Sequence, residues 1–155
     1  MELGELSSLK HLAIQRGAIF RMTFYPEDGV KPKNPGDKSR NKYFCILGVT
    51  DNSWLVGSVL INTEINQNLA NIIEPYQHIL RSSRYEFLNG EDRFQDCYRI
   101  SKIDYERVVA NAEYIDTLLD IDLDRAIDLA NLSPMNSDKD LKSFGIFIDR
   151  IRNKS

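Results

Sequence analysis

The sequence feature that most constrains the fold is a series of short strand-like segments, each ended by turn residues, between Gly17 and Ile103. Residues 17–25 alternate apolar with polar side chains, as a half-buried antiparallel strand does. Residues 41–50 and 54–61 flank the turn sequence Asp-Asn-Ser, which predicts a hairpin. Further short strands are expected at 76–80, 85–88 and 93–103. Five or more antiparallel strands of this kind predict a small barrel or a strongly bent sheet.

Helices are expected on both sides of the strand-rich region. Leucines spaced three to four residues apart predict a short amphipathic helix over residues 5–15. Asp104 can cap a second helix, whose apolar face is predicted to reach Ile115. Two further helices are expected over residues 121–132 and from Ser137 onward. The predicted fold class is therefore mainly β with α additions.

The two parts of the chain differ in charge. Residues 1–112 are predicted to form the barrel domain with its N-terminal helix, and residues 113–155 an acidic helical extension packed on the barrel. Between residues 113 and 140 eight acids stand against only Arg125 and Lys139. One end of the chain is thus locally acidic, although the net charge of the whole is only −3.

Composition limits the class of protein. A chain of 155 residues can bury one hydrophobic core without disulfide bonds. Cys45 and Cys97 lie in apolar surroundings and not at metal-ligand spacing. The first residues lack the apolar core of a signal peptide, and no apolar run approaches the roughly 20 residues that span a bilayer. We therefore expect a reduced, cytoplasmic protein that needs no metal or other cofactor and does not enter a membrane.

A basic loop between the first two strands is the strongest candidate for a binding site. Its cations stand against the single acid Asp37, and they are Lys31, Lys33, Lys38, Arg40 and Lys42. Prolines and a glycine within the loop disfavour regular structure. A cationic loop held by a rigid strand can present a site for an anionic ligand. The alternative is a solvated lysine-rich turn.

Four segments resemble the MazF/PemK-like toxin family, which shares a small SH3-like barrel with the Kid and CcdB toxins. They are GAIFRMTFY, KSRNKYFCILG, VGSVLINTE and DRFQDCYRISKID, and together they extend from Gly17 to roughly Val109. The second strand of the family usually begins with an arginine followed by a proline. Arg40 or Lys42 occupies that neighbourhood here, but no proline follows either residue. The resemblance implies a small SH3-like barrel. The N-terminal helix and the C-terminal helical extension predicted from the residue pattern are additions to it.

The resemblance also implies an activity and partners. Family members of this kind cleave single-stranded RNA without a metal ion, dimerise through the barrel and are paired with an antitoxin protein. On this basis Arg40 or Lys42 would stabilise the charge on the phosphate, and Thr63 would donate a hydrogen bond to it. Arg40 is the first choice, because a guanidinium makes bidentate contacts with phosphate. The predicted RNA-binding residues are Lys31, Lys33, Lys38, Arg21, Thr23 and Tyr25.

Several of these residues and segments have alternative roles. Tyr25 and Tyr43 are candidates for stacking on unpaired bases, with packing in the barrel as the alternative. His11 and His78 are isolated in the sequence and are expected to be structural. A catalytically inactive barrel could act as a protein-interaction module. The acidic helices within residues 113–140 are also expected to cover the basic loop, because the two charges are complementary.

Overall fold

The computed structural model describes residues 10–153, and one antiparallel sheet dominates it. Its seven strands are β1 (Ala18–Phe24), β2 (Arg40–Val49), β3 (Leu55–Asn62), β4 (Gln77–Leu80), β5 (Arg93–Asp96), β6 (Ser101–Asp104) and β7 (Glu113–Thr117). They lie in the order β4-β5-β3-β2-β1-β7, and β6 pairs with the free part of β3. The sheet is strongly curled, which confirms the prediction of a mainly β, barrel-like antiparallel fold with helical additions.

The helices are short. They are α1 (Ala70–Ile73), α2 (Tyr105–Asn111), α3 (Asp120–Leu132), α4 (Asp138–Ser143) and α5 (Asp149–Arg152). Of the helix predicted over residues 5–15, residues 10–13 are helical, and the part before residue 10 lies outside the described residues. Helices able to cross a membrane, which would have to be long and apolar, are absent from residues 10–153.

Two predicted strands differ from the structure. Residues 85–88 were expected as a strand, but Glu86–Leu88 is a 3-10 helix that ends at Asn89 in the left-handed conformation. The single strand expected over 93–103 is broken into β5 and β6. The break is stabilised from a distance, because Asn136 accepts a hydrogen bond from the Ile100 backbone N–H at 2.8 Å and donates one to the Cys97 carbonyl at 3.3 Å.

The helix predicted to reach Ile115 is also wrong beyond Asn111. Glu113–Thr117 instead forms β7, which pairs with β1 at the edge of the sheet. The open edge of β1 supplies hydrogen-bond partners that an isolated helical pattern does not reveal. The acidic segment from residue 113 onward therefore begins with a strand of the sheet.

The two faces of the sheet carry separate cores. The Ile19 face, defined by Ile19, Cys45, Leu47, Val59 and Ile61, packs against α3, α4 and Phe144. The Phe20 face, defined by Phe20, Met22, Phe24, Phe44 and Ile46, packs against α2 and Ile14. Alternate residues of each strand thus belong to opposite faces, so the pairing register decides which polar side chains share a surface.

A β-bulge in β2 shapes the Ile19 face. Ile46 pairs with Ser58 and Gly48 pairs with Gly57, so Leu47 is the extra residue. The bulge turns Gly48 toward Phe144, where a Cβ atom would lie 2.1 Å from the Phe144 carbonyl oxygen. A Cβ atom on Gly57 would lie 2.7 Å from the Phe144 ring. The irregularity of β2 thus lies opposite Gly57 of β3. The two glycines form a slot that admits Phe144.

Candidate nucleic-acid interface

A groove with a volume of about 790 Å³ lies at the beginning of β2. One wall comes from the loop before β2, including Lys31, and the other from the segment that follows β3. The first residues of β2 and the turn after β5 complete the lining. The groove is therefore built on strand ends, where a curled sheet holds several loops close together.

The groove collects all three residues that were predicted as catalytic. Arg40 and Lys42 are two residues apart on β2 and therefore point to the same side of the sheet. The Lys42 ammonium donates a hydrogen bond to Asn62 Oδ1 at the end of β3. Thr63 follows Asn62 directly and lines the same groove, as does Lys31. Arg40, Lys42 and the Thr63 hydroxyl thus line one groove, although Thr63 is distant from the other two in sequence.

Lys42 has an unusual environment for a lysine. Burial lowers the pKa of its ammonium to about 8, and the charges of Arg40 and Arg93 act in the same direction. The Asp96 carboxylate opposes this shift. A lysine with such a pKa exchanges its proton near neutral pH, so it can act both as a cation toward phosphate and as a proton-transfer group.

The groove contains an acid that was not predicted as a site residue. Asp96 Oδ1 accepts hydrogen bonds from Gln77 Nε2 at 2.8 Å and from the Tyr98 backbone N–H at 3.2 Å. Arg99, in the same turn, also lines the groove. Sequence reasoning missed both because it placed them within one continuous strand over 93–103. Among the described side chains, His, Cys, Asp and Glu form no group of three or more that could hold a metal ion.

The predicted RNA-binding residues do not form one surface. Arg21 and Thr23 pair with Tyr43 and Asn41, so they lie on the Ile19 face, opposite the side that Arg40 and Lys42 occupy. Thr23 donates a hydrogen bond to Asn41 Oδ1 at 2.6 Å. The remaining predicted residues, apart from Lys31, are exposed but outside the groove lining, and they are Lys33, Lys38 and Tyr25.

The base of the loop is held by an ion pair. The Arg107 guanidinium on α2 contacts both oxygens of Asp28, at 2.7 and 2.8 Å. The same guanidinium donates to the Thr23 carbonyl at 3.3 Å. Hydrogen bonding to Arg107 lowers the pKa of Asp28, which shows that the pair favours the charged carboxylate. This bidentate contact fixes the point at which the chain leaves β1 for the basic loop.

A second polar cluster joins α3 to the sheet away from the groove. Asp122 is 2% exposed and contacts His78 Nε2 at 2.8 Å. The Tyr85 hydroxyl donates to Asp122 Oδ2 at 2.5 Å and accepts from the Leu119 backbone N–H at 2.9 Å. Burial raises the pKa of Tyr85, and the bond to Asp122 raises it further. His78 thus contacts a buried carboxylate, and His11 stacks on Tyr105, with ring centroids 5.2 Å apart.

The acidic helices lie elsewhere than expected. α3 packs on the Ile19 face, and the groove lining includes no residue of the described segment 113–153. The hypothesis that these helices cover the basic surface is therefore wrong for the groove. Arg40 and Lys42 line an open groove on the described part of the chain.

Comparison of the chain with models of known protein families gives no match. Comparison with curated proteins likewise gives no similar protein. Its function therefore has to be inferred from the groove itself.

Proposed function

We propose that the groove binds single-stranded RNA and that the chain is a divergent SH3-like barrel protein of the MazF/PemK type. The observation that supports this proposal is the convergence of Arg40, Lys42 and Thr63 in one groove, with Lys31 at its wall. Three cations and a hydroxyl donor match the phosphates of an extended strand. A homodimer and an antitoxin partner remain predictions of the same resemblance.

Metal-free cleavage of the bound RNA is the activity that this set of groups can support. Such a reaction needs a base for the 2′-hydroxyl, a cation for the charge that develops on phosphate, and an acid for the leaving oxygen. Arg40 would hold the phosphate and Thr63 would donate a hydrogen bond to it. Lys42, with its pKa of about 8, would take part in proton transfer.

Replacing Arg40 with alanine should weaken binding of single-stranded RNA about fivefold at 0.1 M salt, because one phosphate contact is lost. The dependence of log K on log salt should become shallower by about 0.7 for the same reason. Fluorescence anisotropy of a labelled oligouridylate at several salt concentrations measures both changes. The matched control is Arg150→Ala, which removes an exposed arginine of α5.

The outcomes separate binding from cleavage. Equal effects of Arg40→Ala and Arg150→Ala would contradict the assignment of the groove. If wild-type protein binds RNA in an Arg40-dependent manner but leaves long single-stranded RNA intact on a gel, the proposed cleavage is contradicted and the proposed binding stands. A protein that binds no RNA at low salt would favour the interaction-module alternative.

The pH dependence of RNA binding should show that the Lys42 ammonium contacts a phosphate. Its ammonium is charged below a pKa of about 8 and neutral above it, so affinity should fall as pH rises from 7 to 9.5. The expected loss is about fivefold at 0.1 M salt, the value of one phosphate contact. Lys42→Arg keeps its charge over this range and should abolish the loss. Identical pH profiles for the wild type and Lys42→Arg, measured by anisotropy, would argue that Lys42 does not touch the phosphate.

A further inference from the structure

Two arginines converge on one tyrosine ring on the Ile19 face. Tyr43 on β2 pairs with Arg21 on β1, and the Arg21 guanidinium carbon lies 6.0 Å from the Tyr43 ring centroid. Arg93 approaches from β5, on the other side of β2 in the sheet, with its guanidinium carbon 5.1 Å from the same centroid. We name Arg21, Tyr43 and Arg93 the arginine–tyrosine shelf.

Apart from their contacts with Tyr43, the shelf arginines have no ion-pair partner within the described residues. Among residues 10–153, no carboxylate forms an ion pair with either arginine, although Glu113 is opposite Arg21 in the register with β7. The Nε of Arg93 is buried and lacks a hydrogen-bond partner in the described part of the chain. Charged groups in proteins are normally paired or hydrogen-bonded when they are partly buried. The shelf therefore presents two guanidinium groups that can bind an anion.

The shelf lies on the opposite face of the sheet from the groove, at the same end of β2. Along β2 the side chains alternate, so Arg40 and Lys42 face the groove while Asn41 and Tyr43 face the other side. Only the end of the strand separates the two surfaces. Arg93 is also close enough to Lys42 for its charge to influence that ammonium.

From this geometry we propose that single-stranded RNA leaves the groove over the beginning of β2 and continues onto the arginine–tyrosine shelf. This inference rests on the proposed function of the groove. A guanidinium held near the Tyr43 ring can stack on a base and donate its N–H groups to a phosphate. The Tyr43 ring also packs edge-on against Phe87, with centroids 5.0 Å apart, so the two guanidinium groups would make the new contacts. RNA is favoured over an acidic peptide because the neighbouring groove is the proposed RNA site. The proposal therefore predicts a longer RNA site than the groove provides.

The test compares a short and a long oligouridylate, of about 4 and 12 nucleotides, with the full chain. The double variant Arg21→Gln/Arg93→Gln should weaken the long probe by about 25-fold at 0.1 M salt and reduce its salt slope by about 1.4, for two lost phosphate contacts. The affinity of the double variant for the short probe should stay within about twofold of the wild-type value, because that probe occupies only the groove. Arg40→Ala should weaken both probes. Arg150→Gln serves as the control for the loss of a positive charge, and thermal unfolding checks that the double variant remains folded.

Each outcome has a distinct meaning. If the double variant loses affinity equally for both probes, or keeps its affinity for the long probe, the shelf does not bind RNA. The proposed function of the groove would still stand if binding depends on Arg40. Failure of the wild type to bind either probe would remove the proposed function and the shelf with it. Binding of an oligoglutamate through Arg21 and Arg93, with RNA affinity unchanged, would show that the shelf serves an acidic protein partner instead.

Discussion

Replacing Gly48 with alanine should lower the free energy of unfolding by about 3 kcal/mol, at the upper end of the usual cost of overpacking. The new Cβ atom would lie 2.1 Å from the Phe144 carbonyl oxygen and 2.9 Å from the Phe144 Cβ. Rotation of the Phe144 side chain cannot relieve a clash with its own backbone. Both residues are buried, so the strand and the segment that carries Phe144 would have to separate. Urea unfolding followed by circular dichroism measures the loss.

Gly57 offers a matched comparison within the same slot. The three atoms nearest to its added Cβ would all belong to the Phe144 ring, the closest at 2.7 Å. Gly57→Ala should therefore cost about 1–3 kcal/mol in the wild type and almost nothing in a Phe144→Ala background. Gly48→Ala should remain costly in that background, because the carbonyl oxygen is still present. If the changes in the free energy of unfolding for Gly57→Ala and Phe144→Ala are strictly additive, Gly57 does not make room for the Phe144 ring.

Replacing Asp122 with alanine should also destabilise the fold by about 3 kcal/mol, since hydrogen bonds to a charged group contribute about 1.5–3 kcal/mol each. Two partners, His78 and Tyr85, would lose their acceptor at a site that is almost fully buried. Tyr85 also accepts from the Leu119 N–H just before α3, so the loss should loosen the attachment of this helix. Chemical unfolding of the purified variant measures the change.

The control lies two positions further along on the same helix. Asp124 is exposed on α3, and Asp124→Ala should change the free energy of unfolding by no more than about 0.5 kcal/mol. Equal effects of Asp122→Ala and Asp124→Ala would show that the buried carboxylate does not hold α3 to the sheet. Hydrogen exchange of α3 amides would then be expected to remain unchanged as well.

Local patterns predicted much of the sheet. Alternation and turn residues placed β1, β2 and β3 within one or two residues of their observed ends. The errors occur where a distant group decides the structure. Asn136 breaks the segment 93–103 by binding its backbone, and the edge of β1 draws Glu113–Thr117 into the sheet. Neither partner can be recognised from a window of neighbouring residues.

The site was predicted less completely than the sheet. Arg40, Lys42 and Thr63 were identified through the family resemblance, and the structure brings them together. Arg21 was predicted to bind the same RNA, but the register pairs it with Tyr43 instead of Lys42. A shift of one residue in the pairing of β1 with β2 would have placed Arg21 on the same side of the sheet as Lys42. Asp96 reaches the groove from β5, whose pairing the sequence does not specify.

The bulge at Leu47 has a consequence for how this chain can vary. Because of the bulge, Gly48 faces Phe144 at one end of β2 while Lys42 faces the groove at the other. Inserting or deleting one residue between these positions would turn either the glycine or the lysine to the wrong side of the sheet. The strand can therefore exchange side chains more readily than it can change length. Related chains that keep both features should inherit β2 as one unit of fixed length.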